Sequence, residues 1–156
     1  MKRIALLAIT HALALATGFA LGVYLLPILT APASPDAAAL SRGAEDATYR
    51  AELTRDLRGS DFLHWGQGTI SVGPERIVHE GELAPGPDYK VYLSPAFVEH
   101  EDEFAPIKDR AAFIGDVRTF DGFLLDVPPG VDIEAYDTVV VWCESFAEFI
   151  TAARYR

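Results

Sequence analysis

Polarity along the chain falls into three stretches. From Ile4 to Leu29 there is no charged side chain, and only His11, Thr10, Thr17 and Tyr24 interrupt the apolar run. At about 1.5 Å per residue, a helix of this length crosses a hydrocarbon core of roughly 30 Å with some tilt to spare. After a tether formed by Pro32–Pro35 and the alanine-rich Asp36–Ser41, the residues Tyr49, Leu53 and Leu57 recur every fourth position within a charged segment. That spacing predicts a short amphipathic helix over Ala44–Leu57, stopped by Gly59. From Asp61 onward, turn signals such as Gly73-Pro74, Pro85-Gly86-Pro87-Asp88, Asp121-Gly122 and Pro128-Pro129-Gly130 separate short β-rich runs. Strands are expected at Thr69–Val72, Arg76–Glu82, Tyr89–Ser94, Ala112–Thr119, Gly122–Val127 and Thr138–Cys143. One more is expected over Phe146–Ala152, although Phe146, Phe149, Ile150 and Ala153 also suit a helix. The fold class is therefore all-β: a small antiparallel β-sandwich, preceded by a transmembrane helix and a short amphipathic helix. The expected division is 1–33 membrane anchor, 34–60 linker and short helix, and 61–156 sandwich domain.

Charge orients this arrangement. Lys2 and Arg3 are the only basic residues before Arg42, which places the N-terminus on the cytoplasmic side and the body outside. The expected location is the cytoplasmic (inner) membrane, single-pass, with an extracytoplasmic or periplasmic C-terminal domain. Length favours a retained anchor over a cleaved signal, for which Ala31-Pro32-Ala33 would be the small-residue cleavage site. With Lys2 and Arg3 set aside, 11 basic residues face 23 acidic ones, so the exported part carries a net charge of −12. Such a surface repels phosphate backbones, and nucleic acid is excluded as a partner class. Gly18 and Gly22 form a GxxxG pair through which two anchors could approach as a homodimer.

Cys143 is the only cysteine, so no disulfide forms within the chain. What remains is an inert buried side chain, a bond to another molecule such as a disulfide-linked second copy, a cofactor ligand, or a redox-active thiol. Strand alternation sets Val139, Val141 and Cys143 on one face and Val140, Trp142 and Glu144 on the other. A sulfur among valines favours burial, and the adjacent Glu144 carboxylate is expected to raise the thiol pKa. There is no Cys-x-x-Cys-His for covalent c-type haem, and one cysteine cannot build a multi-cysteine zinc or iron–sulfur site. A blue-copper site lacks its methionine, since the only one is Met1. His64 and His79 are the histidines that could join Cys143, with His64 otherwise packing beside Trp65 and His79 otherwise facing water. No metal site is assigned. The acidic run Glu99–Glu103 matches no calcium-loop spacing and reads as a solvated loop. Hydrolase and phosphate-loop signatures are missing.

Four segments, in order, carry a family resemblance: Pro87–Ser94 (PDYKVYLS), Phe120–Phe123 (FDGF), Val127–Ile133 (VPPGVDI) and Tyr136–Phe146 (YDTVVVWCESF). With their spacing, the stretch from Gly66 to Ala153 resembles the DM-thirteen domain, the electron-transfer module of Skeletor-type proteins. The resemblance implies a β-sandwich whose single cysteine, here Cys143, works in redox chemistry as a bare thiol or as a ligand to a prosthetic group such as haem. On this reading Trp142, with His64 and His79, is expected to line the site. The chain departs from the animal proteins in lacking the adjoining haem-binding DOMON domain, so an unidentified redox partner protein is implied. The alternative from a different class is a binding module for a cell-envelope protein or ligand, with Cys143 buried and structural.

Overall fold

The computed structural model describes the whole chain, Met1–Arg156. The apolar run forms α1, Lys2–Thr30, a helix of 29 residues long and apolar enough to cross a membrane. Added Cβ atoms at Gly18 and Gly22 would meet nothing within 4 Å, so that face is open. A second helix, α2 (Ala37–Gly43), occupies the alanine-rich segment read as tether. Asp36 caps it, its carboxylate accepting from the Ala39 N–H at 2.7 Å.

Eight strands follow: β1 Tyr49–Leu53, β2 Gly66–Val72, β3 Arg76–Leu83, β4 Tyr89–Ser94, β5 Ala112–Val117, β6 Phe123–Asp126, β7 Thr138–Cys143 and β8 Glu148–Arg154. They form two four-stranded antiparallel sheets, β1-β2-β3-β6 and β5-β4-β7-β8, packed as the expected sandwich. The helix expected over Ala44–Leu57 is not there; its centre is β1, paired antiparallel with β2. A spacing of four is a multiple of the strand period of two, so Tyr49, Ala51 and Leu53 align inward against the core as well as they would on a helix. The ambiguous C-terminal segment is a strand, β8, because β7 offers it a complete ladder.

Both faces of each sheet's centre are covered. Between the sheets lie Ile70, Ile77, Leu93, Val139, Val141 and their neighbours. Outside β4-β7-β8, Tyr92, Val140, Trp142 and Phe149 pack under Phe104, which comes from α3 (Glu101–Phe104) and is followed by a 3-10 helix, Ala105–Arg110. The acidic run read as a loop thus starts a helix. His100 caps it and Arg58 bridges Asp102 and Glu103 at 2.7 and 2.8 Å. Outside β3, Val78 packs with Leu40 and Ala44 of the α2 region.

Candidate functional site

Cys143 ends β7, in register with Tyr89 of β4 on one side and Glu148 of β8 on the other. It is 3 % exposed and faces the intersheet core with the valines, as alternation predicts. It also reaches a wall of a cavity of about 510 Å³ between the body and α1. The body supplies Leu63 and His64, the Pro85-Gly86-Pro87 turn, Tyr89, Phe146, Glu148 and Ile150; α1 supplies Phe19 to Leu21, Val23 and Tyr24. The turns that build this wall follow from local sequence. Two prolines restrict the backbone before β4, and Gly86 leaves room for the Tyr89 ring, because a Cβ there would sit 2.3 Å from the Tyr89 hydroxyl oxygen.

Burial pushes the Cys143 thiol above its ordinary value, opposed by the Phe146 backbone N–H and reinforced by the Asp88 carboxylate. The thiol is therefore protonated at neutral pH. The expectation that Glu144 would drive this shift is corrected. Glu144 lies on the opposite side of the strand, where burial would raise its pKa but Lys108, at 2.7 Å, and the Tyr92 hydroxyl hold the carboxylate below its usual range. Asp88 is the carboxylate that reaches the sulfur electrostatically; it is itself held by Ser145 Oγ at 2.8 Å and Lys90 Nζ at 3.3 Å.

The other named candidates separate. Trp142 does not line the Cys143 cavity. It points to the outer cluster, edge-on to Phe104 at 5.2 Å between ring centroids. His64 does line it, with Nδ1 held 3.1 Å from Asp61 Oδ1. His79 faces neither water nor the cavity. It alternates inward while Val78 faces α2, so both sides of β3 are covered and the imidazole is fully buried beside Phe123, 5.2 Å between ring centroids. Its Nε2–H donates to the Gln67 carbonyl at 3.0 Å, and its Nδ1 has no partner. No group of three or more His, Cys, Asp or Glu side chains is placed so that it could hold a metal ion. Tyr89 is the residue that sequence reasoning missed as a site residue. Its place in the PDYKVYLS segment was visible, but its position at the cavity depends on the Pro85–Pro87 turn folding beneath it.

Burial depresses the His79 pKa, with the Gln67 carbonyl opposing. The unfolded imidazole, near an ordinary value of about 6.5, then binds protons that the native ring refuses. Its contribution to stability is complete above that value and is lost as pH falls below it, by up to about 1.4 kcal/mol per pH unit. Urea titrations between pH 7.5 and 5 check this: a His79→Gln variant is expected to lose stability less steeply than the parent over that window.

Haem, one group the family resemblance implies, fits this cavity poorly. Cys143 and His64 are suitable donor types, but the lining has no Lys or Arg to meet two propionates, and its one carboxylate, Glu148, would repel them. The walls suit an uncharged, largely apolar group.

Neither curated proteins nor solved structures gave a match to the chain. A family model does match, described as electron transfer DM13, over residues 57–155. These residues contain seven of the eight strands, Cys143 and every body residue of the cavity wall. With well over half its length matched, the chain belongs to the electron transfer DM13 family.

Proposed function

We propose that this chain is a membrane-anchored, extracytoplasmic electron-transfer component whose working site is the Cys143 cavity. DM13 membership implies an electron-transfer-related role. The observation that carries the assignment of the site is that the only cysteine in the chain stands in the wall of an apolar cavity of about 510 Å³ rather than in sealed core. Location is supported by α1 and by the basic residues at its start, which favour a cytoplasmic N-terminus. A thiol kept protonated by burial is a poor nucleophile, so chemistry at Cys143 is coupled to loss of its proton or to a bound group beside it.

The test is full-length protein purified from its native membrane without added cofactor, beside a Cys143→Ala variant. Absorption, metal content and the response of both to chemical reduction are measured. A redox-responsive signal stoichiometric with the chain and lost in the variant is the expected result. A silent protein, with Cys143 closed to alkylation until it unfolds, would overturn the reading and leave a structural thiol in an envelope-binding module.

A further inference from the structure

The cavity sits where a membrane-dissolved molecule could reach it. A helix of 29 residues is about 43 Å long, roughly 13 Å more than the hydrocarbon core it would cross. With Lys2 and Arg3 at the inner surface, the last eight or so residues of α1 stand clear of the hydrocarbon. The wall formed by Phe19 to Tyr24 then falls at the outer boundary of the bilayer, with Tyr24 at headgroup level, a usual place for tyrosine. On the body side, Phe146 and Leu63 line the cavity while remaining 49 % and 38 % exposed, and the neighbouring Phe62 is 85 % exposed. An apolar rim of this kind at a lipid surface marks an entry rather than a solvated face.

A second observation points to a ligand. Tyr89 is 3 % exposed as a residue, its hydroxyl makes no hydrogen bond within the chain, and the oxygen opens onto the cavity rather than being sealed in the core. A phenol this enclosed usually finds a partner, and here the partner has to come from the cavity side. His64 adds a complementary group: its Nδ1 is held by Asp61, and in the tautomer that carries the proton on Nδ1 the other nitrogen, Nε2, can accept a hydrogen bond. The wall therefore offers the phenols of Tyr89 and Tyr24, one imidazole nitrogen acceptor and the Glu148 carboxylate in otherwise apolar surroundings, with no cation. Nucleotide and haem carriers bear anionic groups that this lining does not meet, and an acyl chain would use none of these polar atoms.

We propose that the Cys143 cavity binds a lipid-soluble quinone, entering from the bilayer, with the Tyr89 hydroxyl donating to a ring carbonyl. His64 Nε2 accepts from the ring hydroxyl when the carrier is in its quinol form. The volume of about 510 Å³ is in the range of cavities that hold single ring ligands. The assignment rests on the electron-transfer reading of the same cavity, and it concerns occupancy only.

The experiment uses the full chain in phosphatidylcholine nanodiscs titrated with decylubiquinone, with binding read from protection of Cys143 against a membrane-permeant maleimide and from quenching of tryptophan fluorescence. Saturable one-to-one binding is expected, weakened about tenfold in Tyr89→Phe, the loss expected for one hydrogen bond. The unfolding midpoint of that variant should match the parent's. Absence of saturable binding, equal binding to Tyr89→Phe, or equal protection by decanol would overturn the assignment. The two readings fail separately. A Cys143-dependent redox signal without quinone binding sinks this inference alone, whereas quinone binding without that signal sinks the Cys143 electron-transfer reading and leaves the ligand assigned.

Discussion

Replacing Gly68 with alanine is expected to destabilise the body by about 3 kcal/mol or more, a large share of the 5–15 kcal/mol typical of a domain. Two effects add at this position. Gly68 has φ +110°, where L side chains are strained, and its Cβ would lie 2.3 Å from the Glu80 carbonyl oxygen across the β2–β3 ladder, an obstacle that only backbone movement relieves. The facing residue, Gly81, is as crowded, its Cβ falling 2.0 Å from the Gln67 oxygen. This glycine pair lets the backbones close and leaves the Gln67 carbonyl within 3.0 Å of His79 Nε2. Gly130 is the control: its φ is +89° but nothing lies within 4 Å of an added Cβ, so its alanine variant carries the conformational cost alone, about 1 kcal/mol. Thermal melts of the two variants in detergent, followed by near-ultraviolet circular dichroism, should separate them clearly. Equal midpoints would show that crowding at Gly68 contributes nothing.

Phe104→Ala is expected to cost about 3–5 kcal/mol, as large-to-small changes of fully buried aromatics do. The ring is 0 % exposed and packs on Trp142 and Tyr92 at 5.2 and 5.6 Å between centroids. It is the plug that α3 inserts over the outer face of β4 and β7, and without it a cavity opens beneath a helix of only four residues. Phe113→Ala, at an exposed site across from Tyr92, should cost under about 1 kcal/mol by contrast. Urea unfolding midpoints of the two variants check the difference. Because Phe104 packs on the face of β7 away from Cys143, partial loss of this cluster should leave thiol protection unchanged at temperatures where the sheets persist.

Much of the fold was legible because its signals are local. β4 and β7 run over the same residues as expected, since alternation and flanking turns bound them on both sides. β1 was misread because spacing by four satisfies two periodicities, and only a partner strand decides between them. The site was legible in part. Cys143 could be placed with the valines, and alternation already set Trp142 on the other face, which conflicts with the expectation that Trp142 lines the Cys143 site. His79 was misplaced because a strand's own pattern cannot tell whether its second face meets water or a helix such as α2.

By itself, then, the sequence determined a long apolar helix, the two-residue rhythm of the principal strands, an acidic body and the family of that body, all of which depend on neighbours along the chain. Only the tertiary structure decided that Cys143 borders a cavity, that Tyr89 brings an unpaired hydroxyl to it and that His79 is sealed away from it. The reason is physical: exposure and cavities belong to surfaces that meet from distant parts of the chain. Here α1, the Leu63-His64 segment, the Pro85–Pro87 turn and the ends of β7 and β8 enclose one volume that none of them encodes alone.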